Sequence, residues 1–309
     1  MEEYIGNVKL NYKYYSGVDE YSDGEIEDEL LDIVQNNDEK NYNYIISRKK
    51  SWPIMYHLSH IRTNIFDVVD FKGNENVLEI GAGCGAVTGK IADNVKKVTC
   101  VELSKKRSMI NAYRNKNRNN IEIMVGNFEK VQESFAEKFD YITLIGVFEY
   151  AQYYINSKKP YDDFLQMIRS HLKKDGKIII AIENKFGMKY WAGCKEDHIN
   201  EFFVGIEGYN DVDRAKTFSN VELKNMLIEN GLNHFEFFYP YPDYKFPLCI
   251  YSDTYLPKSG CLTNNMKNYD NDRLFLFDEG LAFDNILESN MFPFFSNSFL
   301  IICGREDVV

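Results

Sequence analysis

Short, nearly unbroken apolar runs recur along the middle of this chain, and stretches of helical spacing separate them. Residues 76–80, 98–102, 121–125, 139–146 and 172–184 are rich in valine, isoleucine and leucine and read as five strands. Apolar side chains at adjacent positions, rather than at every second one, belong to strands covered on both faces, as in a parallel sheet between helices. Two further strands are predicted at 235–239 and 298–303. Helical periodicity runs from about Gly24 to Gln35, where Ile26, Leu30, Leu31 and Val34 form one stripe and Ser22 or Asp23 is the cap. A second helix opens at Trp52-Pro53 and runs through Val69, a third begins near Ala86, and another spans Ser219 to Asn230 before Gly231.

This alternation predicts an α/β fold. Two stretches interrupt it. Residues 185–216 form an insertion rich in glycine, aromatic and charged residues, and 240–297 separate the sixth strand from the seventh where a hairpin would suffice. Four of the seven prolines fall between 240 and 257, which predicts an ordered loop with fixed turns. Ahead of the strands lies a tyrosine-rich arm. The expected organisation is therefore an arm and helix over 1–50, covering the cofactor or acceptor site, and a catalytic domain over 51–309.

Composition narrows the class. With 309 residues, 44% hydrophobic and 27% charged, the chain can bury a sizeable core, and no apolar run is long enough to span a bilayer. Met1-Glu-Glu lacks the basic and apolar parts of a signal peptide, so a cytoplasmic protein is expected. A net charge of −11 disfavours nucleic acid as a partner. Lysines and arginines cluster between Lys105 and Arg118 on a helix, which reads as a solvated face; acids concentrate between Asp19 and Glu39. Six cysteines show no Cys-x-x-Cys pair and read as free thiols. Cys194 with His198, and His57 with His60, each offer half of a metal site without its other half, so no metal is expected.

The most informative chemistry lies where the first strand ends. Val77-Leu-Glu79-Ile runs into Gly81-Ala82-Gly83-Cys84-Gly85-Ala86, a glycine-rich turn that lets a ligand approach the backbone ahead of a helix N-terminus. About 20 residues on, the second strand ends in Glu102, an acid suited to a pair of ribose hydroxyls in NAD or in S-adenosylmethionine alike. The third ends at Gly126-Asn127-Phe128, where an amide and an aromatic ring offer partners for an adenine edge and face. An NAD(P)-dependent dehydrogenase would use the same glycines, and Tyr154-x-x-x-Lys158 has the spacing of short-chain dehydrogenases. The glycine spacing of that family is absent.

Taken in order, these segments resemble the class I S-adenosylmethionine-dependent methyltransferases, over roughly 56–184 with a return strand at 299–303. The resemblance implies a Rossmann-like fold with a seven-stranded, mostly parallel sheet in the order 3-2-1-4-5-7-6. It also implies a cofactor site: Gly81, Ala82, Gly83, Cys84 and Gly85 for the methionine part, with Glu79 beside them, Glu102 and Leu103 for the ribose, and Asn127 and Phe128 for the adenine. Gly146 and Val147 would form the edge near the sulfonium, with Tyr56 and Arg62 reaching over from the second helix. Residues 56–62, 182–187, 190–198 and 238–247 resemble a narrower bacterial group associated with surface-polysaccharide and protein-glycan gene clusters.

Methyl transfer from a sulfonium is an in-line displacement, so an enzyme aligns donor and acceptor, excludes water and removes a proton where the acceptor carries one. His198, Glu149 and Asp197 are the catalytic candidates. Many relatives place a histidine directly after the acid at 149, where this chain has Tyr150. Glu183, Asn184, Tyr190, Tyr241, Asp243 and Tyr244 are candidates for acceptor binding, the aromatic ones either as a platform for a sugar ring or as core. The expected acceptor is an oxygen or nitrogen of a sugar or sugar-linked group in a bacterial surface or flagellin glycan. A methyltransferase of a small metabolite or peptide natural product, and a non-catalytic partner module of a glycosyltransferase, remain as alternatives.

Overall fold

The apolar runs form strands in the computed structural model, which describes residues 2–210, 215–265 and 271–305. The chain divides into two compact units, Met1–Leu144 with His171–Gly176 and Ile145–Ser170 with Lys177–Val309. Strands are β1 (Glu2–Ile5), β2 (Val8–Tyr14), β3 (Asn76–Ile80), β4 (Lys97–Glu102), β5 (Ile121–Gly126), β6 (Phe139–Ile145), β7 (Leu172–Glu183), β8 (His234–Tyr241), β9 (Cys249–Ser252) and β10 (Ser298–Gly304). The class is the expected Rossmann-like methyltransferase fold with a mixed, centrally parallel sheet.

In the first unit the order is β1-β2-β5-β4-β3-β6. The pairs from β2 through β6 are parallel, while β1 and β2 form an antiparallel hairpin. Val77, Leu78, Val98, Cys100, Ile121 and Ile123 are buried, as strands covered on both faces require. In the second unit β7-β10-β8-β9 pair antiparallel throughout. The expected orders 3-2-1-4 and 5-7-6 are present as β5-β4-β3-β6 and β7-β10-β8. Ten strands replace the expected seven because the tyrosine-rich arm is the β1-β2 hairpin, and residues from the 240–297 stretch add β9 beside β8.

The helix Ile26–Asn36 buries Leu30, Ile33 and Val34 against Tyr42, Ile54, Leu58, Ile110 and Cys84 of the glycine turn. Its apolar stripe is thus covered by its own unit. The expected helix from Trp52 through Val69 is broken: an α-helix spans Trp52–Leu58, and Ser59 caps a 3-10 helix over His60–Phe66. The helix Asn220–Glu229 takes Ser219 as its cap, with Glu222 closing the reciprocal box. The basic helix Lys105–Arg114 is not a solvated face. Asp28 pairs with Lys106 at 2.7 Å, Asp23 with Arg107 at 2.7 Å and Glu39 with Arg114 at 3.3 Å, so the acidic stretch and the basic helix neutralise one another.

Candidate active site

The first unit carries the residues expected around the cofactor, apart from Gly146 and Val147, which belong to the second. After β3 the chain turns through Gly81, Gly83 and Gly85 at φ of +69°, +52° and +75°, a region where an L side chain is strained. The N–H groups of Gly81 and Ala82 donate to the Val101 carbonyl at 2.9 and 3.3 Å, and Gly85 N–H donates to Ala82 O at 3.0 Å. Two of the glycines differ in their surroundings. A Cβ on Gly85 would lie 2.4 Å from Asn111 Oδ1, so this residue lets the basic helix pack closely, whereas a Cβ on Gly83 meets nothing nearer than Arg107 Nη1 at 3.9 Å. Open space above Gly83 is what a ligand laid along the turn requires.

Glu102 sits at the end of β4, 5% exposed. Its Oε2 accepts from Gly83 N–H at 2.7 Å and its Oε1 from Ser104 N–H at 2.9 Å. The carboxylate therefore shapes the glycine turn and starts the next helix, and each oxygen keeps lone-pair capacity for a hydroxyl. Glu79 is buried and Cys100 Sγ–H donates to its Oε2 at 3.4 Å. Burial pushes this carboxyl up to about 7 against the hydrogen bonds of Thr88 and Cys100. Asn127 caps the short helix Phe128–Val131, accepting from Glu129 N–H at 2.9 Å, and Phe128 is buried. Leu103 is half-buried, as is Tyr56. The Arg62 guanidinium lies 3.9 Å from the centre of the Tyr56 ring, and its Nε and Nη1 are buried with no hydrogen-bond partner. A buried cation with unmatched donors calls for an anion such as a carboxylate.

The second unit gathers the catalytic candidates. Gly146 follows β6 at φ +69°, its N–H donates to Ala181 O at 2.9 Å, and a Cβ there would lie 2.7 Å from Tyr244 Oη. Val147 is half-buried and leads into Glu149. His198 comes from the 185–216 insertion, which folds around its own apolar cluster of Ile199, Val204 and Tyr209. His198 Nε2 lies 3.6 Å from Glu149 Oε1 and 3.9 Å from Glu183 Oε2, while Nδ1 is 3.1 Å from Glu196 Oε1. The imidazole also packs edge-on against Tyr150, ring centres 5.3 Å apart. Burial opposes a charge on His198, but the carboxylates of Glu183, Glu149 and Glu196 outweigh it and hold the imidazole well above its ordinary range. Burial raises Glu149; in Glu183 burial is outweighed by Lys245 and His198, and the carboxyl is lowered.

Asp197 faces a different set of groups. Lys189 Nζ at 2.6 Å, Lys245 Nζ at 3.4 Å and Tyr190 Oη–H at 2.6 Å converge on its carboxylate. Although burial opposes ionisation, Lys189, Lys245 and His198 hold Asp197 far below the usual carboxylate range. Asp243 accepts from Lys189 Nζ at 2.8 Å and from Lys245 N–H at 2.9 Å. Asn184 donates from Nδ2 to Phe294 O and Ser296 O at 2.8 and 2.7 Å and accepts from Phe186 N–H, so its amide ties the loop after β7. Tyr190, Tyr241 and Tyr244 are buried, and Tyr241 Oη accepts from Asn264 N–H at 2.6 Å. Tyr241 packs on Tyr251, which with Tyr239 packs on Phe292, so the Tyr241 ring belongs to core. Lys189 and Lys245 have no role in the sequence reading, where Glu196 figures only as an acid whose nearness in sequence could raise the basicity of His198; convergence in space marks the two lysines.

Residues 78–178 match a family described as a methyltransferase domain. This stretch is a methyltransferase domain. The methyltransferase domain also aligns with ribosomal RNA small subunit methyltransferase A of Fusobacterium nucleatum, 44% identical over 45 residues, 15% of this chain and 17% of that protein. The protein of the same name from Mesomycoplasma hyopneumoniae is 30% identical over 125 residues, 40% of this chain and 43% of its own length. The chain thus spans less than half the length of the curated relatives it matches. Among solved structures, a SAM-dependent methyltransferase from Archaeoglobus fulgidus is similar with a TM-score of 0.48 at 14% identity, covering 80% of this chain and 93% of that one.

Proposed function

We propose that the whole chain is an S-adenosylmethionine-dependent methyltransferase that methylates an oxygen or nitrogen of a small polar acceptor, a sugar or sugar-linked group of a bacterial surface glycan. The observation that carries the donor half is the methyltransferase domain laid on a glycine turn with open space above Gly83 and Glu102 beneath it. Arg62 supports it, since the cofactor's amino-acid carboxylate would match the unpartnered guanidinium nitrogens. When bound, the cofactor supplies an electrophilic methyl on sulfur. The chain's own residues then hold the carboxylate at Arg62, the ribose at Glu102 and the adenine beside Asn127 and Phe128. Activation of the acceptor is assigned to Glu149, Glu183 and His198.

The glycan acceptor rests on resemblance of residues 182–187 and 190–198 to a glycan-associated group. A small metabolite or peptide would suit the same chemistry, and a partner module of a glycosyltransferase is the non-catalytic reading. Ribosomal RNA, the substrate named for the relatives, is disfavoured by a net charge of −11 and by the pairing of Lys106, Arg107, Arg114 and Arg118 with acids. No helix among the described residues is long and apolar enough to cross a membrane; a cytoplasmic site of action is part of the proposal. Calorimetric titration with S-adenosylhomocysteine, in parallel with NAD and NADP, tests the reading. Micromolar binding of the first alone is expected, followed by methyl transfer to nucleotide sugars or glycan fragments. Absence of all binding would refute it and favour the partner module.

A further inference from the structure

We propose that Glu149, Glu183 and His198 form a binding site for one divalent metal cation. Each offers a ligand atom, and these atoms all lie within 4.8 Å of one another. The separations from His198 Nε2, 3.6 Å to Glu149 Oε1 and 3.9 Å to Glu183 Oε2, are too long for good hydrogen bonds. They are the separations of ligands about 2.1 Å from a shared cation and about 118° and 136° apart around it. Both carboxylates are fully buried, and Glu183 Oε2 and Glu149 Oε2 have no hydrogen-bond partner. A buried carboxylate without donors is costly unless a cation takes its lone pairs. Lys245 Nζ sits 2.6 Å from Glu183 Oε1 as an ion pair, which leaves Oε2 directed at the imidazole.

The imidazole is held as a metal ligand is held. With Nδ1–H donating to Glu196 Oε1, a cation that displaces the Nε2 proton would meet a lone pair on the atom that faces Glu149 and Glu183. Glu196 is fixed in turn, its Oε2 accepting from the N–H groups of His198 and Ile199 at 2.8 Å each and its Oε1 from Tyr209 Oη–H at 3.1 Å. Charge points the same way. Glu149, Glu183, Glu196, Asp197 and Asp243 lie at side-chain exposures of 0–17%, and among the described residues Lys189 and Lys245 are the permanent cations paired with them. A divalent cation would supply the missing positive charge. Two carboxylates with one imidazole suit Mn2+, Fe2+ or Zn2+ and leave coordination positions open.

On the methyltransferase reading, an open position would take the acceptor oxygen and lower its pKa, so that His198 acts as a ligand rather than as a base. Only this last step rests on that reading; cation binding does not. Chelator-treated full-length protein would be titrated with MnCl2 alone, followed by electron paramagnetic resonance of free and bound Mn2+. One site per chain is expected, with electron spin-echo modulation from a single histidine nitrogen. Glu183→Gln and His198→Ala, each checked for native circular dichroism, should weaken Mn2+ at least about tenfold. The proposal is overturned if the wild-type protein fails to bind Mn2+ or Zn2+ saturably at millimolar concentrations, or if bound Mn2+ shows no histidine nitrogen. Binding of S-adenosylhomocysteine without a cation site would remove this inference alone, and a cation site without S-adenosylhomocysteine binding would remove only the methyltransferase reading.

Discussion

Glu102→Gln probes the joint between strand, turn and cofactor. In the native protein the carboxylate accepts from Gly83 N–H at 2.7 Å and from Ser104 N–H at 2.9 Å, with the side chain 5% exposed. Hydrogen bonds to a charged acceptor contribute about 1.5–3 kcal/mol each. The glutamine has nearly the same shape but only one oxygen. It keeps one contact as a neutral bond of about 1 kcal/mol and turns its amide N–H2 against the other backbone donor, which is left unmatched in a buried place at a cost of about 1–3 kcal/mol. The sum is a destabilisation of roughly 2–4 kcal/mol. Urea unfolding followed by circular dichroism measures it, and calorimetry with S-adenosylhomocysteine measures the cofactor side. On the proposed cofactor placement affinity should fall at least tenfold, because the turn that presents Gly83 loses its anchor and the ribose would lose a charged acceptor. Stability within about 0.5 kcal/mol of wild type would refute the structural role; unchanged affinity would remove Glu102 from the cofactor site.

Two substitutions in the turn separate its scaffold from its open face. Gly85→Ala places a Cβ 2.4 Å from Asn111 Oδ1 at φ +75° and should cost about 2–5 kcal/mol, read by thermal unfolding, whereas Gly83→Ala at φ +52° meets open space and should cost about 1–2 kcal/mol while weakening S-adenosylhomocysteine more than tenfold. Equal effects of the two on stability and binding would contradict the assignment. Glu79 titrates in the native state at about 7 against 4.5 for a free carboxyl, so its contribution to stability is fully present below pH 4.5 and lost as pH rises through 7. Glu79→Gln should therefore gain on wild type by up to about 3 kcal/mol in denaturant titrations above pH 7 and show almost no gain at about pH 4. A constant difference across that range would show that Glu79 does not titrate there.

How much of this molecule was legible depended on whether the physical reason for a feature was local. β3, β4 and β5 announce themselves because burial on both faces demands contiguous apolar residues, and the glycines of 81–85 because positive φ strains other side chains. The β1-β2 hairpin also left a local trace. Val8 and Leu10 are buried and alternate with polar Lys9 and Asn11, after a Gly6-Asn7 turn with Gly6 at φ +58°. Tyrosine content obscured that alternation. The Glu149, Glu183 and His198 group is of another kind. Glu149 and Glu183 stand near ends of apolar runs, where an acid is conspicuous, but His198 reaches them from an insertion with no repeat to mark it. Lys245 comes from farther still, and Glu196 is legible as an acid beside His198, but not as the group whose oxygens hold His198, Ile199 and Tyr209. Pairing of the acidic stretch with the basic helix obeys the same rule: each segment alone reads as a solvated charge run, and only their approach at 2.7 Å converts two surface features into one neutral interface. Charge is written in the sequence, but whether it is solvated, paired or left to meet a cation is decided by what folding brings beside it.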